Sequence, residues 1–487
     1  MSEDVLIYVD NVAGNNSNDG TQRRPVATAD EAFSRLPSSW RGRAEITFAP
    51  NAIAYPITSG TVYLGTPTGP DASSLVLRGG YRDTYPITAS GGTEDYLDTA
   101  PGFLLTDDAL IGKVLMRLRG TGSPIGTAIS IRGSANNPDG TFRIFLQSSI
   151  GPIVAENTFV VQQAAVTLVP KETLNLISQD GRSPNLKLIG IRIAPAPGKG
   201  LTLLNVRALC DTCEIFFRRD LPAPPARPTP VIAFVHTNSR IQGGIEEDPQ
   251  RAQAGVHIHG DDRSNIIWAT RGGVLGGHLT FSEISVRASQ GGVFVPKSLE
   301  ARNAAVRIMA GGTALAEPRR ERGVVVGGWG TASNKARIRS VRAITDDDAD
   351  GLRMSSGASL HSPEAPIHLD VYGCERDGIR VEGGSIAVFG PPITRDAGGR
   401  EVGGEAGLVT SRGDNLNSGF GLNVRNGSRV YVGRDAVGVT PLKGYLGDVT
   451  LDGFATGDAM SWSDVREGSP APNNNLSLVR LLPHEVP

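Results

Sequence analysis

Apolar and polar residues alternate with period two through much of the chain, the mark of strands with one buried face. NLKLIGIRIAP (185–195), GHLTFSEISVRA (277–288), ARIRSVRAI (336–344) and PIHLDVYGC (366–374) all read this way. The first sixty residues are organised differently. VLIYVDN (5–11) predicts a strand, and AGNNSNDGTQRRP (13–25) a turn-rich loop. Thr28 stands three residues before Glu31, a capping-box spacing, and Ala29, Ala32, Phe33 and Leu36 form an apolar helical stripe that Pro37 ends. AEITFAP (44–50) returns to strand character.

Above the alternation lies a repeat. A glycine followed by a short β-rich run recurs as GVHIH (255–259), GVFVP (292–296), GVVVG (323–327), GLRMS (351–355), GIRVE (378–382) and GLNVR (421–425), at offsets of 37, 31, 28, 27 and 43 residues. GLRMSSGASLH, GIRVEGGSIAV and GLNVRNGSRVYV align without gaps up to a second strand beyond a glycine corner. One such unit cannot bury its apolar face alone, so units must stack. Helical solenoids are excluded by the glycine and β-branched content. A β-propeller needs about 40–45 residues per blade, longer than the recurrent spacing near 27. The expected fold is all-β, a right-handed parallel β-helix with a short N-terminal α-helical cap. Residues 1–60 form the strand–loop–helix cap, 61–440 the stack with excursions at 218–230 and 394–415, and 441–487 a C-terminal tail or docking segment. Within that tail SPAPNNN (469–475) reads as a linker and LSLVRLL (476–482) as a terminal strand or docking segment.

Composition agrees. Of 487 residues, 61 are Gly and 32 Pro, together about 19%, against a usual total near 12%. A net charge of −2 argues against gripping nucleic-acid backbones. Three cysteines cannot build a disulfide scaffold. No run approaches the roughly 18 apolar residues of a membrane span. The opening MSEDVLIYVDNVAG has no basic n-region and no long apolar h-region, so synthesis in the cytoplasm without a signal peptide is expected.

Tyr8, Val9, Asp10, Gly14, Asn18, Asp19, Gly20, Thr21, Pro25, Thr28 and Ala32 together resemble the start of bacterial right-handed parallel β-helix proteins of the pectin-lyase-like superfamily, with Val26 where an aromatic residue usually follows the proline. In that superfamily the short helix caps the first coil. GYLGDVTLDG (444–453) followed by SWSDV resembles segments in β-helix proteins of phage tails and tail-like particles. That resemblance implies a virion or particle component released by lysis.

Candidate chemistry centres on HIHGDDRSN (257–265). Pectin-degrading hydrolases of the superfamily carry Gly-Asp-Asp, Gly-His-Gly and Arg-Ile-Lys motifs, with carboxylates as general acid and base. Asp261 and Asp262 match the first motif. Gly277 and His278 match part of the second, where Leu279 replaces the last glycine. No Arg-Ile-Lys follows. The plainer reading places both aspartates in a coil corner, bonded to turn amides. His257 and His259, two apart on a strand, face one side and could join Asp261 at a metal, or simply pack there. DDDAD (346–350), with Arg353 nearby, could hold Ca²⁺ in a lyase, or be a solvated corner. NNSND (15–19) reads as turn chemistry. Cys210 and Cys213, a CxxC with Cys374 far off in sequence, read as buried small residues rather than a zinc or redox pair, GGWG (327–330) and GGVLGG (272–277) as coil turns, and RGR (41–43) and EPRRERG (317–323) as surface charge or subunit contacts.

The preferred function is a non-enzymatic structural or adhesion component of a phage tail or contractile-injection-like particle. Its partners would be other subunits, possibly a trimer of itself, and cell-surface polysaccharide. No cofactor, metal, nucleic acid or membrane span is implied. The alternative is a polysaccharide hydrolase or lyase of the tailspike kind, using Asp261, Asp262 and His278.

Overall fold

The computed structural model describes residues 4–315 except 69–73, 94, 121–123, 148–149, 179–184, 221–230, 246–247, 262–264 and 310–311. Beyond 315 it describes 336–339, 350–361, 369–372, 374, 376–389, 394–395, 401–402, 409–410, 420–433, 447–451, 465–467 and 478–482. The chain divides into two compact units, one of residues 1–265 with 278–280, the other of 266–277 with 281–487.

The first unit is a parallel β-helix with three faces. Its first face stacks Val5–Val9, Ala44–Phe48, Leu75–Arg78, Asn185–Ile189, Arg207–Asp211 and Arg240–Gly243. The second stacks Tyr55–Ile57, Val166–Pro170, Ile191–Ile193, Cys213–Phe217 and Val256–Gly260. The third stacks Thr61–Leu64, Leu174–Ser178, Leu201–Leu204 and Ile232–His236. Parallel register places each side chain beside its counterpart one coil on, so Ile7, Ile46, Leu77, Leu188 and Cys210 form one buried ladder. Cys210 is therefore a rung of the core, as the alternation ALCDTCEIFF implied. A hydrogen bond with Cys213 and full burial push its thiol well above the usual range.

The corner between the first two faces is one residue wide. Gly190 makes it with φ 61°, and a Cβ there would lie 1.7 Å from the Gly80 carbonyl oxygen. Thr212 makes the next with φ 52°. One coil before Gly190, the chain leaves this corner after Gly80 and rejoins at Ala165, whose N–H donates to the Gly80 carbonyl at 3.2 Å. The intervening strands, Tyr81–Gly92, Tyr96–Thr99, Val114–Arg119, Ala128–Asn136, Phe142–Leu146 and Thr158–Ala164, close an antiparallel barrel. Its interior is packed by Ile87, Leu97, Leu115, Ile129, Phe142 and Phe159, among others. The stack expected over 61–440, with excursions at 218–230 and 394–415, is thus also interrupted by a barrel. Period-two alternation is identical for parallel and antiparallel strands, so nothing local marked the change.

Arg251 seats the barrel. It pairs with Asp211 at 2.7 Å, donates to Thr212 Oγ1 at 2.8 Å and Gln162 Oε1 at 3.2 Å, and lies 3.9 Å over the Tyr81 ring. The Tyr81 hydroxyl also donates to Asp211. Ala128 N–H bonds the Gln250 carbonyl at 2.8 Å.

The second unit repeats the coil. One ladder runs Ile266–Thr270, Ser285–Ser289, Ala305–Met309, Leu352–Ser355, Ile379–Val381, Phe420–Val424, Gly447–Leu451 and Val465–Glu467. A second runs from Val293–Arg302 through Thr313–Leu315, Ser359–His361, Ile386–Phe389 and Arg429–Gly433 to Leu478–Leu482. A third continues from the end of Val293–Arg302 through Ala336–Arg339 and Leu369–Tyr372 to Val409–Thr410. The gapless alignment of GLRMS, GIRVE and GLNVR is the register itself, with Leu352, Ile379 and Leu422 stacked in the core. The leading glycine is required where the chain enters this face, because a Cβ on Gly351 would lie 2.6 Å from Val371 and 2.8 Å from the Cys374 sulfur.

Several expectations change. GVHIH and GVFVP lie on other faces than these three runs, so the six glycine-led segments are not one series; GVVVG falls outside the described residues. The coils from Ile266 to Ser285 and from Ser285 to Ala305 are 19 and 20 residues, below the expected 27. The expected departure of 441–487 from the stack is also corrected, since Gly447–Leu451 and Leu478–Leu482 are parallel rungs. At the N-terminus the helix Ala29–Ser34 forms with Thr28 as its N-cap. Glu31 does not complete the capping box, because it pairs with Arg35 at 2.7 Å while Thr28 N–H bonds Asn16 Oδ1. A helical cap over the first coil is not supported: six residues rise only about 9 Å. NNSND and the following Thr21 do form turns, Asn15 Oδ1 and Asp19 Oδ1 accepting from the Ser17 and Thr21 amides at 3.0 Å. Of the charged segments, Arg43 of RGR pairs with Glu45, and EPRRERG and GGWG lie outside the described residues.

Replacing Arg251 by Met should strand buried Asp211 and weaken barrel seating by about 3–5 kcal/mol. Hydrogen exchange should then accelerate in 81–164 while the ladder of residues 352–355 and 379–381 keeps its protection.

Candidate functional site

Asp261 follows the strand Val256–Gly260 and is occupied by turn chemistry. Its Oδ2 accepts from the Arg219 amide at 3.0 Å and its Oδ1 from Asn265 Nδ2 at 2.8 Å, while Arg219 Nε stands 3.9 Å away. Asn265 Oδ1 in turn accepts from the Val231 amide at 3.2 Å. The carboxylate thus ties together the two ends of the 218–230 excursion. Asp262 lies outside the described residues. His278 is buried at the other end of the same face, where a Cβ on Gly255 would lie 2.9 Å from its own Cβ. Asp261 is six residues beyond Gly255 on an extended strand, about 20 Å away. The structure therefore does not bring Asp261 and His278 together. Stacking gathers residues by rung, whereas the two motifs share only sequence proximity.

His257 and His259 do share a side, with rings stacked at 4.4 Å. Their neighbours were not foreseen. Register sets Arg192 beside Glu214, Glu214 beside His257 and Phe216 beside His259. His259 Nε2 lies 2.6 Å from Glu214 Oε1, Arg192 Nε lies 3.3 Å from the same oxygen, and Phe216 stacks on His259 at 4.4 Å. The barrel presses on this cluster: a Cβ on Gly112 would meet His257 Cγ at 2.2 Å. Burial lowers the Lys113 pKa, and the charge of Glu214 offsets part of that. Burial pushes the Glu214 carboxyl up, but its hydrogen bond to His259, with the charges of His259 and Arg192, holds it below the usual range. Burial, then the charge of His259, takes His257 down to about 3. The Glu214–His259 pair can exchange a proton, and it stays partly open to solvent. Among the described residues no three His, Cys, Asp or Glu side chains converge as a cation site.

A second constellation lies in the second unit, on the outward side of the ladder that begins with Ile266–Thr270. Trp268, Arg287, Arg307, Arg353 and Arg380 occupy successive rungs in direct register, spaced about 4.8 Å apart. Its upper end is neutralised. Glu382 takes Arg353 Nε at 2.8 Å and Arg380 Nε at 2.9 Å, and these guanidiniums hold its carboxyl low against the pull of burial. Arg307 donates to the Val306 and Asp350 carbonyls at 3.1 Å. Arg287 differs. Its Nε is buried without a hydrogen-bond partner, and among the described residues no carboxylate pairs with it. Its guanidinium stands 5.9 Å from the Trp268 ring, whose Nε1 donates to Ser289 Oγ at 2.8 Å.

The described member of DDDAD departs from the solvated-corner reading. Asp350 is fully buried, and burial and Asp377 raise its carboxyl against the pull of Arg307 and Arg380. The arginine row had a visible signal: SVRAS, AVRIM, GLRMS and GIRVE each place arginine centrally between two core residues.

No protein-family model and no curated protein matches the chain. Three solved structures are similar to it. The tailspike gp61 of Pseudomonas phage phi297 is 10% identical, over 85% of this chain and 75% of that one, with a TM-score of 0.24. The gp54 tailspike of Acinetobacter baumannii bacteriophage AP22, solved with A. baumannii capsular saccharide, is 8% identical over 84% and 69%, with a TM-score of 0.24. A glycoside hydrolase is 9% identical over 98% and 96%, with a TM-score of 0.22. At such values the likeness carries no argument; the fold rests on the strand registers.

His257 is neutral in the fold while the unfolded chain protonates near pH 6.5. Stability should therefore fall as pH drops from about 6.5 toward 3, and Glu214, whose folded pKa is depressed, adds to the loss once it protonates. His257→Phe should flatten the fall of Tm between pH 6.5 and 4.

Proposed function

We propose that the chain is a non-enzymatic structural or adhesion component of a phage tail or tail-like injection particle, presenting a rigid wall to neighbouring subunits and to surface glycans. The observation that carries this reading is the outward row from Trp268 to Arg380. Its side chains are held at fixed intervals by the ladder hydrogen bonds and by Glu382; Arg307 is buried, and a partner lying along the row meets the partly exposed Trp268, Arg287, Arg353 and Arg380 already ordered. Asp261, the carboxylate offered for catalysis, is instead spent on the Arg219 amide and Asn265. The C-terminal GYLGDVTLDG segment, with its resemblance to tail proteins, adds the particle context.

One observation favours a second reading, a polysaccharide hydrolase or lyase: the half-open Glu214–His259 pair at 2.6 Å could act as a base. It has no partner acid among its described neighbours, and its carboxylate is held by His259 and Arg192.

The chain should be retained on immobilised bacterial polysaccharides and co-sediment with particles from producing cells. It should release neither reducing ends nor unsaturated products from those polymers. Product formation abolished by Glu214→Gln or Asp261→Asn would replace this reading with the second.

A further inference from the structure

We infer that the seam between the antiparallel barrel and the coils is an acid-operated joint: protonation of His257 undocks the barrel, which moves about Gly80 and Ala165 as a folded unit and reseats on neutralisation.

The attachment of the barrel makes such a movement possible. Its two chain connections meet at one point, where the Ala165 N–H donates to the Gly80 carbonyl at 3.2 Å. The barrel interior, with Ile87, Leu97, Leu115, Phe142 and Phe159, is built from its own strands. The apolar part of the seam is a separate, smaller group, Val114 and Ala128 of the barrel against Ala254. Beside it run polar contacts: the Arg251 network, the Ala128 N–H to the Gln250 carbonyl at 2.8 Å and the Gly255 N–H to Ser130 Oγ at 2.8 Å. A seam with so little apolar contact opens before either core does.

His257 is where pH enters. A Cβ on Gly112 would meet its Cγ at 2.2 Å. Gly112 cannot give way alone, because its N–H donates to the Ile131 carbonyl at 2.9 Å and the Ile131 N–H donates to the Lys113 carbonyl at 2.7 Å. His257 cannot either, since its strand is registered on Cys213–Phe217 and its ring stacks on His259 at 4.4 Å. An imidazolium here needs an anion or water, and the groups around it are mostly basic. His259 is on its own strand, Arg192 and Arg218 are on the neighbouring coils, and Lys113 is on the barrel. Among the described residues Glu214 is the carboxylate facing them, and it is engaged by His259 at 2.6 Å and Arg192 at 3.3 Å. His278, against Gly255, is the next titratable group along the coil. Hydrating the new charge therefore requires the barrel to lift. The Glu214–His259 pair lies wholly on the coils and is common to both states.

Seated, His257 stays neutral down to about pH 3, and burial is the main cause. Undocked, it protonates near pH 6.5. The seated form binds fewer protons, so below pH 6.5 acid shifts the balance toward the undocked form by up to about tenfold per pH unit.

The test is hydrogen exchange on the full-length chain at pH 6.5, 5.5 and 4.5, corrected for the intrinsic pH dependence of amide exchange. Seam amides in 112–116, 128–130 and 250–257 should lose about a hundredfold in protection between pH 6.5 and 4.5, and regain it on return to pH 6.5. Amides of 96–99 and 142–146 in the barrel and of 185–189 in the coils should keep theirs. In His257→Phe, whose ring takes up no proton, the seam should stay protected across the range. Gly112→Ala, which drives a Cβ against His257, should open the seam already at pH 6.5. Far-UV circular dichroism and Tm establish that each variant folds, and the comparison between pH values needs no variant. Seam protection indifferent to pH, acid loss unaltered in His257→Phe, or a seam still closed in Gly112→Ala overturns the joint. So does simultaneous loss in barrel, seam and coils, which is global unfolding.

Discussion

The constraint on which this molecule depends is parallel register. Ladder hydrogen bonds fix each strand against the next at about 4.8 Å, and every side chain is then committed to the same neighbours one coil away. Inside, that commitment must produce apolar ladders, such as Ala288, Ile308, Met354, Val381 and Val424. Outside, whatever the sequence repeats is aligned as a row. The arginines at 287, 307, 353 and 380 owe their alignment to the burial of the residues on either side of them. Shifting one strand by a single residue would turn its arginine into the core.

Corners are where this constraint relaxes. A one-residue corner such as Gly190 or Thr212 asks only for a left-handed backbone. Since Gly80 and Ala165 are hydrogen-bonded neighbours, the chain can leave and return there without disturbing the rungs on either side. An entire barrel occupies that gap. It brings its own core, and it meets the coils through polar networks around Arg251 and through the packing of Gly112 on His257. The histidines of HIHGDDRSN are thereby drawn beneath the barrel, which lowers the His257 pKa and gives the pair a place in the seam.

The two arginine environments illustrate how charge is used. Arg251, little exposed, has a carboxylate, a hydroxyl, an amide oxygen and an aromatic face around it. Nothing further can bind it without breaking one of these. Arg287 has an aromatic neighbour and, among the described residues, no paired carboxylate. The first arrangement holds parts of the molecule together.

Period-two alternation and glycine corners, read along the chain, determined that strands would stack in parallel, and the alignment of GLRMS, GIRVE and GLNVR anticipated their register residue for residue. They also determined that Cys210 and Cys213 would be core residues, because each falls on an inward position. The barrel was invisible, since antiparallel and parallel strands alternate alike and pairing direction is set by partners distant in sequence. The same limit misplaced the chemistry. Asp261 and His278 are close in sequence yet sit at opposite ends of one face, while Glu214 and His259, 45 residues apart, share a hydrogen bond. Local sequence encodes which side of a strand a residue takes; only the closing of each coil onto the next decides what it meets there.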